Sequence, residues 1–507
     1  MIQLTEPLIW DTYHNIKKKA QRYIDKGNIN KALLYTHLAA YTNYEFWLSY
    51  SDEEIEGLAK RAGKSIRTRD YNNEDMVRGR CVMLDSMARY RGGLTVQYIN
   101  AIVSAGWELL YITEQEMAAP HHKELLNYIQ TKDNVIILEV PSKKKGVGRL
   151  QFVYDSILNF GAERLYFHGT TSDAFFTAIC YSLPPYIKKY FIDVADHGFR
   201  MGMQACDYTF EFRDLGCSII NQFLHFPKDR ILMLPFYPVL DNLEYKGLPP
   251  QCKGKIIILS GGIYWKIVDQ EDTYFKLCKK LLQNNTNAII VFPGSGAPSY
   301  VKNKIKEYGL NDRFLLLGWR NDISELFRNA DIFLNTYPHG GGTMSQYAAH
   351  NKIPILSYHD PNKSPTYVEN FVCQLRQTEI SSIGEKAFLE EGERLINSKK
   401  YRIEKAERVY SCILNKELFD SYFKEMSERG KNILPFDDGK NAGIPLERKE
   451  KKIIYHNNTG EYPLRMIAYA GLNSITVKPQ FVIPFVKNII PKLWSVFKSR
   501  GFHFNRI

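Results

Sequence analysis

The stretch that decides the fold is Asp331 to Leu356, DIFLNTYPHGGGTMSQYAAHNKIPIL. Asp331 to Thr336 reads as a strand, Gly340 to Thr343 as a turn, Met344 to His350 as a helix, and Ile353 onward as the next strand. A glycine turn at a helix start leaves amide N–H groups without carbonyl partners. Those donors, with the helix dipole, attract a phosphate. Gly341 and Gly342 let its oxygens approach the backbone, Thr343 adds a hydroxyl, and His339 stands at the edge. No acidic residue occurs between Asp331 and Asp360.

The same rhythm extends to both sides. Before the quoted stretch come IIILSGG, AIIVFPG and FLLLGW, and after it IPILSY, each apolar run separated from the next by a helical stretch. From Arg80 a first series runs CVMLDSM, ELLYIT, NVIILEV, RLYFHG, YFIDVA, YTFEF, ILMLPF. Alternation of this kind predicts parallel strands joined by helices. The Pro/Gly-rich interval Pro235 to Lys255 separates the two series as a linker. The expected organisation is therefore α/β: a helical prefix over 1–78, a Rossmann-like domain over 79–240, a second over 253–430, and an extension over 431–507. A length of 507 residues suits two large domains, and 44% hydrophobic with 24% charged residues is a globular composition.

The prefix carries apolar residues at helical spacing with a Gly-Asn turn at Gly27-Asn28, a single helical hairpin that either packs on the first domain or serves as a docking arm. The tail from Tyr462 to Ile507 contains no acidic residue, and 478–507 interleave lysines with Phe, Ile and Trp. That composition suits an anionic membrane surface or packing across the N-terminal domain. Prolines 479, 484 and 491 exclude one long helix there.

A net charge of +12 favours anionic partners without choosing among them. The eight cysteines are scattered, with no CxxC pair and no Cys/His cluster at zinc spacing, and read as reduced thiols. Neither a signal peptide nor a membrane-spanning run is legible, so the expected location is cytoplasmic, at most peripheral on a membrane's inner face. No metal, resident cofactor or nucleic acid is called for.

In open α/β domains ligands sit beyond the carboxyl ends of the strands. Four loops there carry chemistry: Arg91-Gly92-Gly93 after the first strand; Ser260-Gly261-Gly262 with Lys266 close behind; Gly318-Trp319-Arg320; and the quoted glycine turn. A glycine turn plus a lysine offers backbone donors and a point charge for a diphosphate. The Gly318 loop offers backbone to a base edge and an indole to cover it. On the first domain, FIDVADHGFR presents His197 after a strand, with Asp196 or Asp193 to orient or replace it, and RLYFHG presents His168. GSGAPS, Gly294 to Ser299, does not complete a dinucleotide fingerprint.

Taken in order, these loops resemble the GT-B glycosyltransferases, in which an acceptor domain and a nucleotide-sugar domain face each other across a cleft. GGIYWKI and NTYPHGGGT with AAHNKIPIL look most like the O-GlcNAc-transferase group and its bacterial surface-polysaccharide relatives. The resemblance implies that Lys266, Gly342 and Thr343 hold the donor diphosphate, that Gly318 to Arg320 lie near the base, and that Arg91 to Gly93 line the cleft from the other domain. Many retaining members carry two glutamates seven residues apart across this turn. Gln346 stands near the place of the second, which favours inversion, with His197 as base, Asp196 behind it and Lys266 on the leaving group. The expected activity is transfer of a sugar from a UDP-linked donor to a lipid-linked or polysaccharide acceptor. The alternatives are an inactive scaffold whose N-terminal helices engage a protein partner, and a nucleotide-sugar epimerase.

Overall fold

The computed structural model describes residues 3–91, 94–240, 243–362, 368–436 and 448–470. The expectations for Gly92, Gly93 and the membrane-contacting segment 478–507 lie outside them.

The chain begins with three helices, α1 (Glu6–Asp25), α2 (Ile29–Phe46) and α3 (Glu53–Gly63). Each has a side-chain cap: Thr5 accepts from Leu8 N, Asn28 from Lys31 N, and Asp52 from Glu54 N and Ile55 N. On α1 the buried Ile9, Tyr13, Ile16, Ala20 and Ile24 recur every three to four residues and form one apolar stripe. Residues all around α2 are buried, so this helix is enclosed rather than laid on a surface. α3 packs on the first domain's helix Ala174–Ser182.

The first domain is a seven-stranded sheet, all parallel: β1 (Arg80–Asp85), β2 (Glu108–Thr113), β3 (Val135–Glu139), β4 (Arg164–His168), β5 (Lys188–Ile192), β6 (Tyr208–Glu211) and β7 (Ile231–Met233), in the order β3-β2-β1-β4-β5-β6-β7. Its central strands are buried on both faces, as near-continuous apolar runs such as CVML require. The second sheet is β8 (Ile256–Leu259), β9 (Gly262–Ile263), β10 (Ala288–Ser295), β11 (Phe314–Gly318), β12 (Ile332–Leu334), β13 (Ile355–His359) and β14 (Ser381–Ile383). Its order is β11-β10-β8-β12-β13-β14, with β9 on β10. All twelve anticipated strands form. β9, only two residues long, and the polar β14 carry too little apolar pattern to be seen in the sequence.

The chain crosses between the domains twice. The linker is held by both: Gln97 donates to the Tyr237 carbonyl at 2.8 Å, and Tyr347 donates to the Val239 carbonyl at 2.7 Å. The second crossing corrects the expected domain limits. The helix Lys416–Arg429, assigned by sequence to the second domain, packs on the first, with Phe419, Phe423 and Met426 buried beside Tyr98, Tyr166 and Phe210. Gln374 joins the two crossings, since its Nε2 donates to the Phe236 carbonyl at 3.0 Å and its Oε1 accepts from Leu414 N at 2.6 Å.

After 437–447 the helices Arg448–Thr459 and Glu461–Ala470 return to α2. Glu45 pairs there with Lys452 at 2.6 Å and lies 2.9 Å from His456 Nε2, all three buried. Burial alone would raise the Glu45 carboxyl, and the Lys452 charge and the His456 contact outweigh it, holding the group well below the usual range. Among the described residues no helix is long and apolar enough to cross a membrane.

Candidate functional site

The strand ends of the second domain line up as the glycine loops require. Gly262 pairs with Gly294 and Gly318 with Pro293, so the loops after β8, β10 and β11 finish side by side. On the other flank Leu259 pairs with Phe333, which brings the loop Asn335 to Gly342 next to Gly261. The helix that follows runs Gly342–His350, two residues longer at its start than the pattern suggested, with Gly341 as its cap. Asn335 Oδ1 takes the Gly341 amide at 2.9 Å, and Gly342, Thr343 and Met344 form the first turn, where amides have no carbonyl one turn back. Gly342 is required sterically: a Cβ there would lie 2.7 Å from the Phe371 ring. Thr343 is exposed at this turn.

Lys266 sits beside the same turn. Its Nζ donates to the Gly340 carbonyl at 3.3 Å, and its own carbonyl accepts the His339 amide at 3.2 Å. The side chain retains some solvent access, yet its ammonium is densely surrounded. Burial first, then the charges of Arg213 and Lys452, lower its pKa to about 8.

The first domain meets this surface through an aromatic cluster that the sequence reading missed. Trp47, buried and left-handed (φ 49°) where α2 ends, lies 5.3 Å from His339, 5.9 Å from Trp265 and 6.0 Å from His197, ring centre to ring centre. Trp265 and His339 are themselves 4.7 Å apart, and Lys452 Nζ stands 3.9 Å over the Trp265 ring. Gly198 makes the contact feasible, since a Cβ there would sit 3.0 Å from the indole of Trp47. The helical prefix thus forms part of the wall between the two sets of loops. From sequence, Trp47 was one more apolar residue of a helical hairpin.

His197 and Asp196 do come to this place. His197 is half-buried, with Nδ1 3.4 Å from Asp196 Oδ1. Asp196 is wholly buried and clamps Arg213 with both oxygens, Nε to Oδ2 and Nη2 to Oδ1 at 2.7 Å. Burial opposes its ionisation, but Arg213 and His197 override it and hold the carboxyl well below the usual range. Behind it Asp193 pairs with Arg200, and the Glu211 carboxyl is pushed well upward by burial and then by the Asp193 charge. Asp193 is therefore engaged with Arg200 and turned away from the role considered for it.

Four sequence-based candidates have other partners. His168 is fully buried; its Nδ1 is 3.0 Å from Asp85 and its Nε2 3.3 Å from the Leu94 amide, so it fixes the β1 loop rather than lining a cleft. Arg91 is paired with Glu124 at 2.6 Å. Gln346 is buried with its amide donating to the Phe371 carbonyl, beneath the turn rather than on it. Arg320 forks onto Asp322 and donates to the Gly247 carbonyl at 3.0 Å, tying the loop to the linker, while Trp319 beside it is 73% exposed.

Residues 253–398 match the family described as glycosyl transferases group 1. A comparison with curated proteins returns no match. Among solved structures, a mutant of the Thermobaculum terrenum O-GlcNAc transferase is similar at a TM-score of 0.52 and 13% identity, with 83% of each chain covered. A glycosyltransferase from Rickettsia africae gives 0.51 and 13% identity over 69% of this chain and 98% of that one. Anabaena Alr3699/HepE, in complex with UDP and glucose, gives 0.50 and 12% over 69% and 99%. At these identities the likeness establishes the fold.

Two parallel α/β domains with their strand ends turned on a shared cleft have the GT-B fold, and residues 253–398 of the second match glycosyl transferases group 1.

Proposed function

We propose that the protein transfers a sugar from a UDP-linked donor onto a lipid-linked or polysaccharide acceptor in bacterial surface-glycan synthesis, without a metal and with inversion. The observation that carries this reading is the convergence of Lys266, the Gly340–Gly342 turn and the His197–Asp196 pair on one cleft. In the step, the acceptor oxygen bonds the anomeric carbon and passes its proton to His197. The bond from that carbon to the diphosphate breaks, and its electron pair leaves on the diphosphate oxygen. Lys266 and the first-turn amides meet the charge that develops there. Asp196 orients the imidazole. The exposed Trp319 and the Gly318 backbone would meet the base. The lack of any carboxylate on the quoted turn, where Gln346 is engaged with Phe371, slightly favours inversion over retention.

Titration of the protein with UDP and UDP-sugars tests this. Wild type is expected to show calorimetric binding and a raised Tm, and Lys266→Ala to bind UDP roughly 10- to 100-fold more weakly, the worth of a charge-assisted contact. No binding of any UDP compound to wild type would discard the reading. The missing carboxylates also support a second reading, a scaffold of the same fold, which UDP binding without transfer or hydrolysis would favour.

A further inference from the structure

Arg213 belongs to the first domain, at the end of β6, yet its guanidinium lies 4.0 Å over the ring of Phe371 in the second. That ring is the one packed against Gly342 at the helix start. The side chain is 4% exposed. Asp196 occupies its Nε and Nη2 edge, which leaves Nη1 as the remaining donor group, and among the described residues Nη1 has no hydrogen-bond partner. A buried donor without a partner costs about 1–3 kcal/mol, and here it belongs to a full charge.

We infer that Arg213 is a donor-site residue reaching across from the acceptor domain: its Nη1 completes the diphosphate site made by Lys266 and the Gly340–Thr343 turn. This rests on the donor reading above. A nucleoside diphosphate carries more negative charge than Lys266 and the helix start neutralise, and a guanidinium held rigidly by a carboxylate on one edge presents its other edge to phosphate oxygens with little entropy left to lose. The depressed Lys266 pKa agrees with this placement, because it registers the nearby Arg213 charge. Lys452 contributes to the same field, but it is already paired with Glu45. Arg213 is not.

The consequence concerns timing. One cation of the site stands on each domain, so the diphosphate is fully held only when the domains are as close as they are here. Donor binding and closure become one equilibrium, and Arg213 meets the electron pair that remains on the diphosphate oxygen when the bond to the sugar breaks.

The test is calorimetry with UDP, uridine and inorganic pyrophosphate on the full chain, comparing wild type, Arg213→Gln and Arg213→Lys. Arg213→Gln is expected to weaken UDP and pyrophosphate roughly 10- to 100-fold while leaving uridine unchanged, and Arg213→Lys to recover part of the loss. UDP binding to wild type with no change in Arg213→Gln would overturn the inference and leave the proposed function standing; no UDP binding to wild type removes the reading beneath it. Should Arg213→Gln not fold, as circular dichroism would show, Arg213→Lys decides: UDP and pyrophosphate affinity equal to wild type would overturn the inference, and a loss of fivefold or more confined to phosphate-bearing ligands would uphold it.

Discussion

The two sheets end on the same cleft with opposite chemistry. Where β8, β10, β11 and β12 finish, the second domain presents Ser260, Gly261, Gly262, Gly294, Gly318 and Gly340 to Gly342, with Lys266 the cation beside the turn. Where β1, β4, β5 and β6 finish, the first domain presents Asp85, His168, Asp193, Asp196, Arg200, Glu211 and Arg213, all buried. One edge offers backbone, the other offers titratable side chains locked to one another. A phosphate is best met by amides that need no reorganisation, whereas deprotonating a hydroxyl needs a side chain whose charge is set by its neighbours. On the proposed function, the difference suits the glycine edge to the donor diphosphate and the charged edge to the acceptor hydroxyl.

The comparison can be broken most severely at the charged edge. Asp196→Ala removes the clamp on a buried Arg213 and the partner of His197. An uncompensated buried charge costs about 3–5 kcal/mol, so denaturant unfolding is expected to show a loss of that size. At the glycine edge the sensitive property is space. Gly342→Ala places a methyl against Phe371 and is expected to cost about 1–3 kcal/mol by overpacking and to lower UDP affinity along with it, measurable by thermal unfolding and calorimetry. A stable Gly342→Ala protein with unaltered UDP affinity would detach the helix start from the phosphate.

The gentlest probe is pH. On the proposed function Lys266 meets the diphosphate in its charged form, and its pKa is lowered by burial to about 8. In the free protein the charged form is already favoured at pH 7 and mostly lost at pH 9, so UDP affinity should fall about tenfold as pH rises through that window. The sign for stability runs the other way: the cost of holding a charged Lys266 is present in full below pH 8 and fades as pH climbs toward the unfolded value. Lys266→Arg, which stays charged, should flatten the binding profile.

Much of this was legible in the sequence because the second domain's site is local. A strand, a glycine turn and a helix start within twelve residues make up the candidate anion site, and Lys266 follows its own strand by a few positions. The first domain's edge was less readable. His197 and Asp196 were found because they follow a strand, but His168 follows one equally and is a structural knot with Asp85. Only the fold reveals which histidine faces the cleft. Trp47, Arg213 and Lys452 were invisible for another reason: 218 positions separate Trp47 from Trp265 in the numbering, 158 separate Arg213 from Phe371, and no local pattern encodes such pairings. The sequence did carry one overlooked signal, the Arg-Asp that closes YTFEFRD at a strand end.

Gln374 bonds to the linker at Phe236 and to the returning chain at Leu414. One side chain thus ties the two strands of chain that run between the domains into a single hinge seam, so that a displacement of either is felt by the other.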